Sequence, residues 1–452
     1  MKSASVDLLN GKITRALVIF AIPMFFSQLC QTLYNTVDTV LIGYFLGDAS
    51  LAALGSTTAI FDLIVGFCVG CGNGFGIIVG QRFGAGDPRG LKKAVAQSIW
   101  LSLAIGLVFT LAAWLGLPLL LQALQTPAEI FDPALSYIRI ICTGLLITVA
   151  YNGCAGLLRA IGDSLTPLIV LAISCLINVG LDCLFIVPFH MGVDGAAWAT
   201  LAAQLISTVV CLVWIVKKKP LLVPEEKDYA FDIPLCRELM AQGLAMGFMS
   251  SIVSIGSVIL QGAINALGTL LIAAHTAARK VYMMLGMPMF ALMSALVAFV
   301  AQNMGAGQYQ RVIEGVRASN RLCVIYCIVL TIIIWPSAGW LIEILSGSST
   351  PEVLENGALY LRVNIPFFFA LGILCNLRST LQGLGRKVVP VISSVIELIG
   401  KLIFTWMIIP AFGYTGVAWC EPIIWCFMMF YLAIMYLRLP LFWERDLKPK
   451  IL

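Results

Sequence analysis

Apolar runs long enough to cross a lipid bilayer follow one another along almost the whole of this 452-residue chain. About 20 apolar residues span a bilayer as an α-helix, and backbone inside lipid must satisfy its own hydrogen bonds. Hydrophobic residues make up 60% of the chain and charged residues 11%, against roughly 25% charged in a soluble domain. Most of the outer surface must therefore meet lipid. We predict an all-α polytopic membrane protein, because the alternating ten-residue segments of a β-barrel do not occur.

Twelve of these runs are predicted as transmembrane helices and are numbered here as spans 1 to 12. They begin near Arg15, Ser50, Leu91, Phe131, Leu165, Gly192, Cys236, Thr269, Val312, Val353, Val388 and Tyr414.

Among the loops, only alternate ones carry basic residues, and both ends of the chain are basic. Loops after odd spans, such as Gly116–Glu129 and Ser346–Glu352, contain neither Lys nor Arg. Because cytoplasmic loops carry the Lys and Arg excess, the pattern predicts that both termini are cytoplasmic. The basic residues on that side are Lys2, Lys12, Arg15, Arg82, Arg89, Lys92, Lys93, Lys217, Lys218, Lys219, Arg311, Arg317, Arg386, Lys387, Arg445, Lys448 and Lys450.

The chain repeats itself. The predicted N-terminal lobe, 1–216, holds spans 1 to 6; a cytoplasmic linker, 217–235, leads to the C-terminal lobe, 236–452, with spans 7 to 12. Each lobe has an even number of spans, so both enter the membrane in the same orientation. A pseudo-twofold axis along the membrane normal follows, as in transporters that alternate access between two lobes. The matching segments are Gln81–Gly86 with Gln302–Gly307, Tyr137–Arg139 with Tyr360–Arg362, Leu158–Gly162 with Leu381–Gly385, and Gly195–Trp198 with Gly416–Trp419.

Acidic and polar residues inside the N-terminal spans form one candidate site. An acid within a span is costly and is a functional hypothesis by default. Asp38 lies in the outer half of span 1, Asn178 and Asp182 share one face of span 5, and Thr200 lies in span 6. A carboxyl group removed from water can hold a proton near neutral pH, and the same oxygens could bind sodium. The alternative is that Asp38 only hydrogen-bonds a neighbouring helix.

The C-terminal spans carry a second charged set that does not copy the first. Glu397 and Lys401 lie four residues apart in span 11, the favoured order for a helical ion pair, and Glu421 follows in span 12. The set is either a structural ion pair or a second proton-linked or substrate site. Gln261 stands near the position that the repeat assigns to Asp38. His275 in span 8 could titrate or could be a hydrogen-bonded packing residue.

Pro23 lies within span 1, about four turns before Asp38. Proline removes a backbone hydrogen bond and kinks a helix, so a bend is predicted there. The bend is either static or part of a gating movement.

Several motifs resemble those of the multidrug and toxic compound extrusion (MATE) family of bacterial transporters. The resemblance covers nearly the whole chain. It rests on Asp38–Gly43, Leu46–Gly47, Ala52–Gly55, Gly84–Asp87, Leu158–Asp163, the Asn178 and Asp182 pair, and Gly192–Thr200.

The resemblance implies twelve spans in two lobes and export of cationic, often aromatic compounds against an inward proton or sodium gradient. It also implies that Asp38, Asn178, Asp182 and Thr200 hold the coupling ion and that the bend at Pro23 accompanies proton or ligand movement. We accordingly expect a monomeric antiporter in the bacterial cytoplasmic membrane, surrounded by lipid. No cofactor, and no metal other than sodium, is expected.

Other function classes fit less well. A lipid-linked oligosaccharide or lipid flippase of the same architecture would favour a cationic cavity for pyrophosphate, whereas the charged residues within the spans are predicted to be mainly acidic, with Lys401 as an exception. A membrane enzyme would need a catalytic cluster or metal ligands, but the chain has two isolated His. The sequence contains no Walker A motif, and its net charge of +5 argues against a nucleic-acid partner.

Overall fold

The computed structural model describes residues 5–123 and 126–439, and the regular structure in this part of the chain is helical throughout. Lys2, Arg445, Lys448 and Lys450, which are predicted to be cytoplasmic, lie outside the described residues. The helices are Ile13–Gly84, Pro88–Ala123, Ala128–Thr143, Leu145–Ala160, Leu165–Ile186, Gly192–Lys218, Ile233–Asn265, Thr269–Gly305, Tyr309–Ser346, Pro351–Asn364, Phe368–Gly383, Val388–Ile403, Ile409–Phe412 and Tyr414–Leu437, with short 3-10 turns at Pro220–Leu222, Glu226–Tyr229 and Ile365–Phe367 and a π-turn at Phe404–Ile408.

A single glycine divides the 72-residue first helix into spans 1 and 2. Gly47 has φ 78° and ψ −178° and is the residue of Ile13–Gly84 that leaves the helical conformation. Glycine adopts this backbone without steric cost, whereas an L side chain is strained there. Gly268, 221 residues later, has φ 104° and immediately precedes span 8. The repeat therefore places the same break between the first two spans of each half.

Spans 4, 10 and 11 are interrupted helices. Span 4 bends by 49° at Gly144, between Ala128–Thr143 and Leu145–Ala160. Span 10 is interrupted by the turn that contains Pro366, and span 11 by the π-turn. The described residues contain ten apolar helices long enough to cross a membrane, or eleven with the bent pair as one span. The division at Gly47 brings the number to the predicted twelve.

The chain divides into two compact units. The first contains the residues up to Asp7 and Ile22–Ser251, and the second contains Leu8–Ala21 and the chain from Ile252 onward. The border thus passes through spans 1 and 7. The lobe boundaries derived from the repeat, at 216 and 236, stay a prediction.

The polar stretch 217–235 is packed on the first unit. The Lys92 ammonium lies 2.7 Å from a carboxylate oxygen of Glu225, and the buried Gln97 amide donates to the carbonyl of Ala230. Lys227 and Lys92 hold the pKa of the exposed Glu225 carboxyl down at about 2. These contacts attach the linker to span 3.

Within the first unit, span 2 and the beginning of span 7 touch backbone to backbone. A Cβ at Gly70 would lie 2.9 Å from Gly247 Cα, and one at Gly74 would lie 2.7 Å from Gly243 Cα. The four glycines form two facing Gly-x-x-x-Gly pairs, the pattern that lets membrane helices approach most closely.

Candidate functional site

The structure brings the four predicted residues of the N-terminal spans together. Asn178 and Asp182 lie one turn apart on span 5 and are 0% and 1% exposed. Thr200 of span 6 is also buried, whereas Asp38 of span 1 is partly exposed. Three helices therefore contribute to one polar cluster inside the first unit, and among these four residues only Asp38 is partly exposed.

The amide of Asn178 links the two carboxylates. With its NH₂ group turned toward them, it donates to Asp38 Oδ1 at 2.9 Å and to Asp182 Oδ2 at 3.0 Å. In this orientation its oxygen accepts from the backbone N–H of Thr200 at 3.3 Å. The amide orientation follows from its partners, because the opposite one would face oxygen to oxygen.

Tyr34 belongs to the same cluster and was missed by the sequence reasoning. Its hydroxyl lies 3.0 Å from Thr200 Oγ1. Tyr34 precedes Asp38 by one helical turn, so the i, i+4 spacing could have indicated it.

The cluster contains a hydrogen-bond acceptor without a partner and no basic side chain. In the described chain neither Asp38 nor Asp182 forms an ion pair. The Asn178 amide bridges the two carboxyl groups, and Asp182 Oδ1 is buried without a partner. Buried charge needs compensation, and here only a proton or a small cation could supply it.

A polar stripe runs along span 1 beside the cluster, and sequence reasoning also overlooked it. Its side chains are exposed, although they lie at membrane depth. The three threonines of the stripe donate to the backbone carbonyl four residues earlier. Polar groups at this depth are tolerated where they line a water-filled space. The stripe consists of Gln28, Gln31, Thr32, Asn35, Thr36 and Thr39.

In the second unit, Glu397 is shared by two cations. Lys401 Nζ lies 2.9 Å from one of its oxygens and Arg378 Nη2 3.8 Å from the other. Lys401 is 3% exposed and also donates to Ser257 Oγ at 3.2 Å. The predicted Glu397–Lys401 ion pair is present, but Arg378 makes it a group of net charge +1.

Glu421 forms a separate ion pair with Arg279 of span 8. Arg279 Nη1 lies 2.9 Å from both carboxylate oxygens of Glu421, and the Tyr360 hydroxyl donates to one of them at 3.1 Å. The charged set predicted for the C-terminal spans is therefore two separate groups, one around Glu397 and one around Glu421.

His275 and Gln261 occupy different environments. His275 is buried; its Nδ1 lies 3.3 Å from the Tyr414 hydroxyl, and its ring packs edge-on against Tyr360. Gln261 is exposed and donates to Asn265 Oδ1 at 2.9 Å. Neither contacts Glu397 or Lys401 through a hydrogen bond in the described chain.

The expectation that the charges within the spans are mainly acidic is wrong for the second unit. Arg279, Arg378 and Lys401 outnumber Glu397 and Glu421 there. Arg279 and Arg378 both lie in apolar stretches of the sequence. This position could have indicated that they belong to the charged groups within the spans.

Pro23 lies inside the continuous helical part of span 1. The hydroxyl of Ser27 donates to the Pro23 carbonyl at 2.9 Å. The border between the two units falls just before it, between Ala21 and Ile22.

Known proteins are similar to this chain in sequence and in fold. The MatE family model matches the chain twice, over residues 23–184 and 245–407. "Probable multidrug resistance protein YpnP" of Bacillus subtilis (strain 168) is 27% identical over 369 residues, covering 80% of each chain. The "FAD transporter" of Shewanella oneidensis (strain MR-1) is 27% identical over 418 residues, covering 90% of this chain and 89% of its own.

A solved structure described as MATE in the bent conformation superposes with a TM-score of 0.87 at 22% identity, covering 96% of this chain and 97% of its own. The two matches of the family model span most of the chain and fall on the two halves of its repeat. The chain therefore belongs to the MATE family of multi-pass membrane transporters.

Proposed function

We propose that this protein is a secondary active exporter of organic cations, driven by antiport with protons or sodium. The observation that carries the proposal is the carboxylate pair Asp38 and Asp182, which Asn178 bridges and no basic side chain neutralises. Its multidrug relative from Bacillus subtilis supports the substrate class by its name.

The coupling follows from charge. A cationic substrate is attracted by the ionised carboxylates, whereas a proton or sodium ion on Asp38 or Asp182 weakens that field. A ligand shifts a conformational equilibrium only by its different affinity for the two states. Substrate and coupling ion therefore compete, and each favours the conformation in which its own site is complete.

The exposed stripe of span 1 gives the coupling ion a hydrated route to Asp38. Pro23 lies in the same helix, where the chain passes from one unit to the other. We assign it the role of a hinge, because a proline leaves one carbonyl without its helical donor. On this proposal Pro23→Ala slows transport while substrate affinity is kept.

The positive-inside pattern supports cytoplasmic termini, and we expect a monomer in the cell membrane. No cofactor is needed, because the gradient supplies the driving force.

The test is transport by the purified chain in proteoliposomes with imposed gradients. Vesicles with an inward proton or sodium gradient should move a fluorescent organic cation, such as ethidium, in the opposite direction. The response to each gradient alone identifies the coupling ion. Transport that is equal with and without both gradients would contradict antiport.

The positive charge of the second unit favours one further candidate, export of an anionic compound. Arg279, Arg378 and Lys401 exceed their two carboxylate partners by one charge, and one relative is named FAD transporter. A lipid-linked pyrophosphate, the cargo of the flippase alternative, would also suit such groups. Transport of FAD in the same vesicles distinguishes the two candidates. If Lys401→Met loses FAD export but keeps ethidium export, the result would favour export of an anionic compound.

A further inference from the structure

A cavity of about 460 Å³ opens in the first unit, and none of the polar-cluster residues is among those that line it. It lies between the end of span 3 and the beginnings of spans 4 and 6, at the face of the membrane opposite the basic loops. Among its lining side chains are Trp114, Asp132, Ser136, Arg139 and Trp198. Both tryptophans are about half exposed, as expected for side chains of the aromatic belt at a membrane interface.

The guanidinium of Arg139 is poised in this cavity without an anion. It lies 5.3 Å from the ring centre of Trp114, and Trp114 is itself held by a hydrogen bond to Thr143 Oγ1 at 3.1 Å. Arg139 Nε is buried and has no hydrogen-bond partner. In the described chain Arg139 forms no ion pair. A buried donor without an acceptor is costly, so the site is incomplete as it stands.

Carboxylates stand near the arginine but do not neutralise it. Asp132 lines the same cavity and is exposed, while Asp194 accepts from Ser136 Oγ at 2.8 Å. Helical side chains point toward the N-terminus of their helix, so Arg139 and Asp132 both reach toward the outer end of span 4. The cavity thus presents a positive and a negative group that stay apart.

The second half of the chain repeats the residues but not the unsatisfied donor. Trp335, Glu355, Arg362 and Trp419 stand where the repeat places Trp114, Asp132, Arg139 and Trp198. There Arg362 Nε donates to the backbone carbonyl of Trp335 at 3.2 Å. The same donor atom is satisfied within the protein in one half and left for a ligand in the other.

We propose that this cavity binds the headgroup of a zwitterionic aminophospholipid of the surrounding leaflet. The phosphate accepts hydrogen bonds from Arg139, and the ammonium group is held by Asp132 and by the exposed ring face of Trp198. A lipid fits better than a soluble ligand, because the cavity lies between tryptophans at the membrane interface. A primary ammonium fits better than choline, because a carboxylate can accept its N–H groups.

Native mass spectrometry of the purified full-length chain tests this proposal. Phosphatidylethanolamine, phosphatidylcholine and phosphatidylglycerol are titrated onto delipidated protein, and the affinity of the first bound lipid is compared. Phosphatidylethanolamine should bind tightest. Arg139→Gln should weaken its binding about tenfold, the low end for a hydrogen bond to a charged group. The matched variant Arg362→Gln should leave it unchanged.

Asp132→Asn separates a zwitterion site from a general anion site. It changes an exposed side chain, so folding is preserved, and it should weaken phosphatidylethanolamine but not phosphatidylglycerol. Equal effects of Arg139→Gln and Arg362→Gln would overturn the proposal, as would tighter binding of phosphatidylglycerol by the wild-type chain. Full competition by soluble phosphoethanolamine would identify a soluble ligand and overturn the lipid assignment.

Discussion

Asp38 and Asp182 are chemically identical carboxyl groups that the fold holds in different surroundings. Asp182 is enclosed, with one oxygen unpartnered, whereas Asp38 borders the exposed polar stripe of span 1. An ion that enters along the stripe meets Asp38 first. Asn178 then connects it to Asp182. On the proposed mechanism, Asp38 is therefore the side chain that connects the cluster to water.

We predict that Asp38→Asn abolishes gradient-driven export, because an amide can neither release a proton nor offer a charge to sodium. The amide is nearly isosteric, so the variant should fold and elute as wild type in size-exclusion chromatography. Transport of a fluorescent cation in proteoliposomes measures the loss. Asp48→Asn, the same change at an exposed position near the end of span 1, should export normally. Normal export by the Asp38 variant would remove Asp38 from the coupling site.

The shared carboxylate of span 11 leads to a second prediction. Lys401→Met leaves Glu397 paired with Arg378, whereas Glu397→Gln leaves two cations without an anion. We expect Glu397→Gln to destabilise by about 3 kcal/mol, the lower end for breaking a buried pair, and Lys401→Met by clearly less. Thermal unfolding in detergent measures which of the two variants loses more stability. A larger loss in Lys401→Met would show that Arg378 does not neutralise Glu397.

At the scale of helices, two types of glycine act differently. Gly47 and Gly268 end helices, because their backbone conformation is one that side chains rarely adopt. Gly70 and Gly74 have ordinary helical conformations and instead permit span 2 to touch span 7. The first type determines where a span ends, and the second determines which helix it packs against.

We predict that Gly74→Ala destabilises the first unit by on the order of 2 kcal/mol, as overpacking does elsewhere. The added Cβ would lie 2.7 Å from the Gln242 carbonyl oxygen, which belongs to backbone and cannot turn aside. Gly72→Ala, two residues away, is the matched control, since nothing lies within 4 Å of its Cβ. Melting temperatures in detergent should fall for Gly74→Ala and stay level or rise for Gly72→Ala. Equal melting temperatures would mean that the two helices can separate at no cost.

At the scale of the whole molecule, the polar cluster of the first unit and the group around Glu397 in the second carry opposite charge. The first holds the unpaired Asp38 and Asp182, and the second holds an excess cation near Glu397. The internal repeat has kept the helices and the break between the first two spans of each half, but not this chemistry. On the proposed function, a cationic substrate is attracted by the Asp38 and Asp182 pair and not by the group around Glu397.

This asymmetry predicts how substrate affinity depends on pH. Protonation removes negative charge from the Asp38 and Asp182 pair, so affinity for an organic cation should fall as the pH falls. At fixed sodium the loss should be on the order of tenfold, since neutralising one nearby charge is worth at least 1.4 kcal/mol at reduced dielectric constant. Fluorescence anisotropy of a bound fluorescent cation measures it. The loss should vanish in the double variant Asp38→Asn with Asp182→Asn.

A parallel titration with sodium at fixed pH completes the measurement. If sodium is the coupling ion, it should lower cation affinity in the wild-type chain and leave the double variant unaffected. Affinity that is flat with both pH and sodium, or tighter binding of anions, would contradict the proposed antiport.

The sequence by itself determined the helical class, the span count and four residues of the polar cluster, though not Tyr34. Length and apolarity of a run depend on local sequence alone, because a helix in lipid satisfies its hydrogen bonds internally. Asn178 and Asp182 were predictable as neighbours, since four residues make one helical turn. Asp38 stood out because an acid in an apolar span is rare.

Only the tertiary structure decided which charges are paired and which donors are left open. Glu421 meets Arg279 across 142 positions of sequence, and Arg378 reaches Glu397 from another helix. Two further features could not be predicted from the sequence: the contact of Gly74 with span 7 and the unsatisfied Nε of Arg139. The physical reason is distance: ion pairs and hydrogen bonds act over about 3 to 4 Å, and helix periodicity indicates only which residues share a face. Which face meets which is set by packing between helices that are far apart along the chain.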